Sequence, residues 1–503
     1  MKRSTNYSLG NFPLAAFTIV LLTVAIRVPA LQHPQAIDDE AVYSVVANEM
    51  IDGGRPYVDA VERKPPPLFW TYAAIFKMTG KYNWPALHVV ALLWTLATMA
   101  GLYLIGRELF ERNTGLIAAL LYSIFQPWAT AKNLALNGEL LMNLPIVWAW
   151  AIALRRGSSR LRPELLVAGA LLGAAFLLKQ PAAIAAVPLG VYLLLPAYRA
   201  NRRITRTGSI IQAAMLTIGF FAILGGVALL LWKQGILREA YYWTITAHSI
   251  QHFFWDRGVR FTLMFVACCL PLLIGAALSL RDRALWMNKR AEQTALLGLL
   301  IASAIGTAAG VRFYPHYYIQ LIPPLALFSA AYYAALFAKK SQPLWGFIRP
   351  SVVYVSLALT VVGFSISHWV ELSTRRKSSD VGRYLLEQLA PGQRIFVWGT
   401  RPANIYLEAQ ARPACRYILT FPLTGRIFGG QLYGVDMHRW IIPGAWNNLE
   451  QDFNKHPPTY IVDLRTDPDP RYQLKEFPIL TKLLTERYEM VASPAEGVIY
   501  RMR

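Results

Sequence analysis

The sequence is poor in charge and in cysteine for its length. Of its 503 residues only 16% are Asp, Glu, Lys or Arg, whereas 55% are hydrophobic. A soluble chain of this length would fold into two or three domains with charged surfaces, so the composition excludes an ordinary soluble protein. Of the three cysteines, Cys268 and Cys269 lie in an apolar segment, which leaves Cys415 alone and predicts no structural disulfide.

Motifs for nucleotides and metals are also missing. There is no Walker, Rossmann or Gly-Asp-Ser-type motif, which argues against direct use of ATP or a dinucleotide. Only His248 and His252, among eight scattered histidines, stand four residues apart. In a loop rich in aromatics this pair indicates polar loop residues more than a metal site. We therefore expect neither a cofactor nor a bound metal.

Acidic residues are outnumbered by basic ones, and the net charge is +21. Much of the excess lies in short segments between apolar blocks, at 107–112, 155–162, 199–206, 281–290 and 339–349. Confinement of Lys and Arg to such segments is typical of the cytoplasmic loops of membrane proteins. Because no single basic face results, nucleic-acid binding is not expected.

The chain is rich in apolar blocks of about twenty residues, the length that crosses a bilayer. They predict eleven spans, near residues 12–32, 86–106, 115–130, 139–154, 164–179, 181–198, 210–231, 259–280, 294–311, 319–338 and 350–369. The first block lacks a small-residue cleavage site and is interpreted as a retained helix. With the N-terminus in the cytoplasm, every basic segment lies inside. The segments then placed outside are the loop 33–85, the region of Glu139, the loop 232–258 and the turn 312–316.

From about Ser373 the composition changes to charges of both signs and short alternating segments. The pattern predicts a helix at 379–389 and strands at 394–399, 459–464 and 497–500. The odd number of spans places this tail outside the membrane. The sequence thus predicts a polytopic α-helical membrane protein, with a transmembrane domain at 1–372 and a small extracytoplasmic α/β domain at 373–503.

Two groups of charged residues lie on the predicted first external loop, 33–85. An acidic triplet at 38–40 directly follows the first span, and Arg63 and Lys64 precede a run of three prolines. Carboxylates at a membrane surface gain nothing from lipid, so three in succession need a reason. A carboxylate that can act as a base and a lysine that can bind phosphate predict chemistry on a lipid-linked, phosphate-bearing donor.

Short motifs follow one another along the predicted external segments. They are Asp39-Glu40-Ala41-Val42-Tyr43, Asn48-Glu49-Met50, Gly53-Gly54-Arg55-Pro56-Tyr57-Val58-Asp59, Lys64-Pro65-Pro66-Pro67, Asn137-Gly138-Glu139, Lys179-Gln180-Pro181, His316-Tyr317-Tyr318 and Pro391-Gly392-Gln393-Arg394. In order and topology they resemble the bacterial protein-mannosyltransferase-like family. That family includes the aminoarabinose transferases of lipid A and belongs to the C-type membrane glycosyltransferases.

The resemblance implies the C-type fold and an inverting glycosyltransferase. Such an enzyme passes a sugar from a polyprenyl-phosphate carrier to lipid A, core saccharide or another envelope acceptor, on the outer face of the bacterial inner membrane. By this resemblance Asp39 matches the active-site aspartate, and Lys64 matches the lysine that meets the donor phosphate. Glu139 is a candidate for the acidic residue of the second external loop. Aminoarabinose transferases carry Glu where this chain has Arg63, so a metal contact of that Glu is not transferred.

The catalytic candidates are Asp39, Glu40 and Glu139, and the candidates for the donor phosphate are Lys64, Arg63, Arg312, His316 and Lys179. Other roles stay open, because the carboxylates could cap helices and the basic residues could anchor spans at the interface. Other functions also stay open: a protein O-mannosyltransferase-like enzyme, a transporter of a lipid-linked sugar, or a non-catalytic assembly subunit. The sequence lacks paired broken spans in two halves, which argues against the transporter.

Overall fold

The structure is a computed structural model that describes residues 12–34, 37, 39–155, 161–249, 255–338, 349–375, 378–426, 436–465 and 469–503. Its α-helices are α1 (Phe12–Gln32), α2 (Asp39–Ile51), α3 (Pro66–Thr79), α4 (Trp84–Leu109), α5 (Arg112–Phe125), α6 (Gly138–Leu154), α7 (Glu164–Leu178), α8 (Ala186–Leu194), α9 (Pro196–Arg202), α10 (Arg206–Lys233), α11 (Leu237–Thr244), α12 (Trp255–Cys268), α13 (Leu270–Arg281), α14 (Arg290–Ala308), α15 (Ile322–Phe337), α16 (Pro350–Thr374), α17 (Asp380–Gln388), α18 (Pro402–Glu408), α19 (Phe421–Thr424), α20 (Ala445–Lys455) and α21 (Pro478–Arg487). Its strands are β1 (Arg394–Trp398), β2 (Arg412–Pro413), β3 (Tyr460–Asp463), β4 (Tyr488–Ala492) and β5 (Val498–Met502). Asp38 and His252 lie outside the described residues.

The chain forms two compact units, each assembled from separate stretches. The first unit comprises Met1–Pro34, Leu87–Leu229 and Phe253–Thr374. The second unit comprises Gln35–Ala86, Leu230–His252 and Arg375–Arg503. The tail thus packs together with the predicted first external loop, whereas the predicted division at 372–373 assigns these two stretches to different domains.

Several helices of the described residues are long and apolar enough to cross a membrane. Six meet that criterion, namely α1, α4, α10, α14, the segment Pro315–Phe337 and α16. Helices α12 and α13 form one further candidate, bent by 81° at their junction. Helices α6 and α7 and the segment Gln180–Leu194 are apolar but shorter. All eleven predicted spans fall on helices, but the count of eleven stays a prediction, because the shorter helices do not meet the length that spans a bilayer.

Close backbone contact holds helices α7 and α10 together in the first unit. A methyl group at Gly169 would collide with the carbonyl oxygen of Leu216, and one at Gly219 would collide with that of Leu166. Small residues permit such close approach between apolar helices, where packing and not water drives association. The two glycines therefore fix this crossing.

Arg27, the one charge in the first predicted span, is buried in the first unit. Its guanidinium donates hydrogen bonds to the Leu134 carbonyl at 3.0 Å, to Thr95 Oγ1 at 2.8 Å and to Gln126 Oε1 at 2.6 Å. These acceptors satisfy the donors that burial would otherwise leave unpaired. Arg27 thereby fixes the short 3-10 helix Ala131–Leu134, which leads into α6.

The second unit contains a five-stranded sheet in the order β2-β1-β3-β5-β4. Strands β2, β1 and β3 are parallel, while β5 and β4 run antiparallel to their neighbours. The three predicted strands are confirmed as β1, β3 and β5. The predicted helix is confirmed as α17. Ser379 Oγ accepts a hydrogen bond from Gly382 N at 2.8 Å and so caps the start of this helix.

Candidate active site

Helix α2 of the second unit carries the predicted catalytic carboxylates in its first turn. Asp39 is half-buried, and Glu40 is fully buried. Glu40 Oε2 accepts a hydrogen bond from the backbone N–H of Ile37 at 3.0 Å. A glutamate that reaches back three residues in this way is one half of a capping box. The geometry thus gives Glu40 a structural role at the start of the helix.

Helices α2 and α3 pack together through aromatic rings. The ring of Tyr43 meets those of Phe69 and Tyr72 edge-on, with centroids 6.1 Å and 5.6 Å away. Asp39 stands four residues before Tyr43 and therefore shares its face of α2. Burial raises the pKa of the Tyr72 hydroxyl well above its ordinary value, and the carboxylates of Glu40 and Asp39 raise it further. Tyr72 therefore stays protonated at neutral pH beside the two carboxylates.

Lys64 is half-buried and stands immediately before the first turn of α3. Pro66 and Pro67 occupy the first two positions of that helix and have no backbone N–H. An anion at this helix terminus would meet few backbone donors, so the lysine ammonium is the main donor that the sequence supplies here. The hydroxyl of Tyr57 donates to the Lys64 carbonyl at 2.7 Å and holds the backbone of this turn.

Arg63 packs against the tail of the chain within the second unit. Its guanidinium carbon lies 4.6 Å from the centroid of the Phe421 ring, at a cation–π distance. Next to it, Val61 N donates to the Arg416 carbonyl at 2.8 Å, in a bridge between Val61 and Tyr417. Arg63 therefore packs between the loop and the tail. This contact is separate from its predicted role at the donor phosphate.

A second contact between the loop and the tail involves Glu49, to which the sequence assigns no role. Its side chain is buried, and Oε2 accepts from Arg412 Nε at 2.9 Å while Oε1 accepts from Arg412 Nη2. Arg394 Nη2 adds a contact to Oε1 at 3.2 Å. The hydrogen bond from Arg412 to Glu49 is the largest cause of a raised pKa of that guanidinium. One buried carboxylate thus holds two arginines of the sheet.

In the first unit, three of the predicted site residues meet. Glu139 lies in the first turn of α6, Lys179 follows α7, and His316 lies in the 3-10 helix Pro315–Leu321. All three are buried, with exposed fractions of 2%, 6% and 3%. Lys179 Nζ pairs with Glu139 Oε1, and His316 Nε2 lies 3.6 Å from the same oxygen. We call these residues the Glu139 cluster.

The local structure explains why Glu139 is available for this cluster. The side chain of Asn137 accepts from Leu140 N at 2.9 Å and so caps α6. Asn137, and not Glu139, therefore supplies the side-chain cap of α6. The Tyr317 ring covers Lys179, with the ammonium 4.0 Å from the ring centroid. Lys179 is thus held by a carboxylate and by an aromatic face.

Arg312 lies four residues before His316 on a strained turn of the first unit. Gly310, Val311 and Phe313 all have positive φ, of 80°, 50° and 48°. Such a conformation is unfavourable for a β-branched residue and is often found near functional sites. Arg312 is half-buried, and its Nη2 is buried without a hydrogen-bond partner among the described residues.

The structure therefore groups the predicted residues within each unit. Asp39 and Glu40 on α2, together with Lys64 before α3, belong to the second unit, and the Glu139 cluster belongs to the first. Within the described ranges, no group of three or more His, Cys, Asp or Glu side chains could hold a metal ion.

The chain was compared with known protein families and curated sequences. Residues 63–232, less than half of the chain, match the model of the dolichyl-phosphate-mannose-protein mannosyltransferase family. No curated protein sequence matches the chain significantly.

The fold is similar to solved membrane enzymes. The crystal structure of ArnT from Cupriavidus metallidurans bound to undecaprenyl phosphate has a TM-score of 0.63 at 12% identity, over 98% of each chain. The oligosaccharyltransferase of Archaeoglobus fulgidus in the apo form has a TM-score of 0.55 at 13% identity, over 92% of this chain and 70% of the other. Its complex with an inhibitory peptide and a dolichol-phosphate has a TM-score of 0.52 at 13% identity, over 97% and 74%. The resemblance to the C-type membrane glycosyltransferases is thus confirmed, and at these identities the likeness is one of fold.

Proposed function

We propose that this protein is an inverting glycosyltransferase of the bacterial inner membrane that uses a polyprenyl-phosphate sugar as its donor. The observation that carries the proposal is the packing of α2, which bears Asp39 in its first turn, against α3, which Lys64 directly precedes. The similarity of the fold to a structure bound to undecaprenyl phosphate supports the choice of donor. We further propose that the acceptor is an envelope glycan or lipid on the outer face.

In the proposed reaction, the oxygen of an acceptor hydroxyl attacks the anomeric carbon of the sugar. The bond from that carbon to the phosphate oxygen breaks through an oxocarbenium-like state, and the configuration inverts. The polyprenyl phosphate leaves with the bonding electrons, and the Lys64 ammonium stabilises its growing charge. The hydroxyl proton passes to the Asp39 carboxylate, which acts as the general base.

Asp39 suits that role better than Glu40. The Glu40 carboxylate is fully buried and engaged at the start of α2, whereas Asp39 is half-buried. The Tyr72 hydroxyl, near enough to Asp39 for that carboxylate to raise its pKa, supplies a hydrogen-bond donor that can orient a carboxylate beside it.

A protein hydroxyl is the second candidate acceptor, because residues 63–232 match a family of protein mannosyltransferases. The two candidates differ in which envelope molecule loses a sugar when the gene is deleted. Mass spectrometry of envelope lipids, glycans and proteins from deleted and complemented cells separates them.

Purified protein in lipid vesicles provides the direct test. With an undecaprenyl-phosphate sugar and an envelope extract, we expect a labelled acceptor and one free undecaprenyl phosphate for each sugar transferred. Movement of the intact donor across the bilayer without release of the carrier phosphate would instead establish a transporter. Binding of the donor with neither outcome would favour a non-catalytic assembly subunit.

A further inference from the structure

We propose that the tail of the chain, residues 375–503, holds the proposed catalytic residues of loop 35–86 in position. Glu49 and Arg412 act in this proposal as positioning residues. The holding of the loop is inferred from the second unit alone, and its effect on turnover rests on the proposed function. Contacts at three places along the loop carry the inference.

The first contact holds the helix that bears Asp39. Glu49 lies ten residues after Asp39 on the same α-helix, and a helix transmits a displacement of one end to the other. Glu49 has an exposed fraction of only 2% and accepts from both Arg412 and Arg394. Arg394 Nη1 also donates to the Pro413 carbonyl at 2.6 Å, which fixes the guanidinium on the sheet.

The end of α2 is built to hold this geometry. Gly53 has a φ of 88°, and Gly54 N donates to the Glu49 carbonyl at 2.8 Å. This is the six-to-one hydrogen bond that commonly closes a helix through a left-handed glycine. Side chain and backbone of Glu49 therefore anchor the same turn from two sides.

The second contact lies directly before Lys64. The bridge from Val61 to Tyr417 and the stacking of Arg63 on Phe421 tie two of the three preceding residues to the tail. The third contact lies beyond α3, where the Tyr82 hydroxyl donates to the Gln410 carbonyl at 3.1 Å. The tail therefore contacts the loop at two places between Asp39 and Lys64 and at one place after Lys64.

Of the three contacts, the ion pair of Glu49 should contribute most to holding the loop. Removing one partner from a buried, hydrogen-bonded ion pair leaves the other charge uncompensated. By contrast, Val61 contributes a backbone hydrogen bond that a side-chain change leaves in place. Glu49→Gln should therefore free the helix of Asp39 while the segment before Lys64 stays attached.

The test compares two measurements on the full-length purified protein. Hydrogen exchange followed by mass spectrometry reports the protection of α2, and steady-state kinetics reports turnover. In Glu49→Gln we expect amides of α2 to exchange at least about tenfold faster. We expect kcat to fall at least about tenfold while the KM for an undecaprenyl-phosphate sugar changes less than about threefold, because Lys64 stays in place.

Two further variants keep the test decisive. Arg412→Ala leaves Glu49 its contact with Arg394 and should show the same pattern to a smaller extent, and Arg412→Lys should recover part of the loss. The matched control is Glu489→Gln, which removes a carboxylate from the exposed pair with Arg501 at 2.8 Å and should change neither measurement.

Each outcome decides the proposal. Unchanged exchange of α2 in Glu49→Gln would show that the tail does not hold the helix. Faster exchange with unchanged turnover would show that holding it does not matter for catalysis. If the unmodified protein transfers no sugar, the proposed function fails, and the exchange measurement still decides whether the tail holds the loop.

Discussion

Lys64 and Lys179 have different surroundings, each within its own compact unit. Lys179 is buried, paired with the Glu139 carboxylate and covered by the Tyr317 ring. Lys64 is half-buried and precedes a helix whose first turn is built of prolines. A lysine that already has a buried counter-ion cannot meet a phosphate without separating that pair, at a high cost in free energy. Using Lys179 for a donor phosphate would thus break its pair with Glu139, and we propose Lys64, the more exposed of the two lysines, as the phosphate ligand.

The largest effect is expected for Asp39→Asn, which tests the catalytic side of this comparison. Asparagine keeps the shape and the capping ability of aspartate but cannot accept a proton. We expect transfer to fall by about 10²–10⁴-fold, the range for loss of a general base, with protein level and donor binding nearly unchanged. The measurement is turnover in vesicles at matched protein concentration.

Glu40→Gln is the matched control, because glutamine can still accept the hydrogen bond from Ile37. It should cost much less activity than Asp39→Asn. Turnover of Asp39→Asn at the level of the unmodified enzyme would return Asp39 to a purely structural role.

The next largest effect concerns the stability of the Glu139 cluster. Lys179→Met removes one partner of a buried ion pair, which typically costs about 3–5 kcal/mol in the free energy of unfolding. The double variant Glu139→Gln/Lys179→Met removes both charges and should recover much of that loss. Thermal unfolding in detergent compares the two variants.

The exposed pair of Lys482 and Glu486 supplies the control for this stability test. Their side chains are 76% and 54% exposed, so Glu486→Gln should shift the melting temperature little. Equal melting temperatures for Lys179→Met and Glu486→Gln would remove the distinction drawn between the two lysines.

A smaller effect is expected for Lys64→Ala, and it falls on donor use and not on folding. Losing a charged contact to phosphate costs about 1.5–3 kcal/mol, which corresponds to about a tenfold to hundredfold loss in kcat/KM. Arg63→Ala should lose less donor use, since the guanidinium of Arg63 stacks on the Phe421 ring of the tail. Unchanged donor KM and turnover in Lys64→Ala would eliminate the phosphate role.

The smallest expected effect is a pH dependence at the rim of the Glu49 contact. Burial lowers the pKa of His456 below its ordinary value of 6.5, and the charge of Arg394 lowers it further. The unfolded chain therefore binds more protons below about pH 6.5, and acidification favours unfolding. In His456→Gln this part of the pH dependence should vanish. Melting temperatures between pH 7 and pH 5 would reveal it, and identical slopes in both proteins would contradict it.

Much of the fold follows from local sequence patterns. The predicted spans fall largely on helical segments, since apolar length is a property of contiguous residues. The breaks within 181–198 and 259–280, where one predicted span covers more than one helix, were not predicted. The sequence also predicts β1, β3, β5 and the helix start at Ser379, because alternation and capping depend on neighbouring residues only. The individual residues Glu139, Lys179 and His316 could be singled out, but their meeting in one cluster required the packing of three separate segments.

Contacts between residues far apart in the chain could not be predicted from the sequence. Glu49 and Arg412 are 363 positions apart, and neither stands in a motif that a single sequence marks as paired. Arg63 looks like a phosphate ligand beside Lys64, and only the position of Phe421 reveals another partner. The turn at 312–316 could be predicted, but not the left-handed backbone of Val311 and Phe313, since neither residue is a glycine.

The discontinuous make-up of the second unit has a consequence for biosynthesis. Loop 35–86 is translated well before its partners, since Arg394 and Arg412 follow Glu49 by 345 and 363 positions. Contacts between such distant segments form late, because chain entropy must be overcome before they can stabilise anything. The first helices of a growing chain would thus already be inserted in the bilayer before the loop can form its contacts with the tail. The proposed enzyme would become active only after Arg394 and Arg412 have been translated and have packed against Glu49, and chains released before that point would remain inactive.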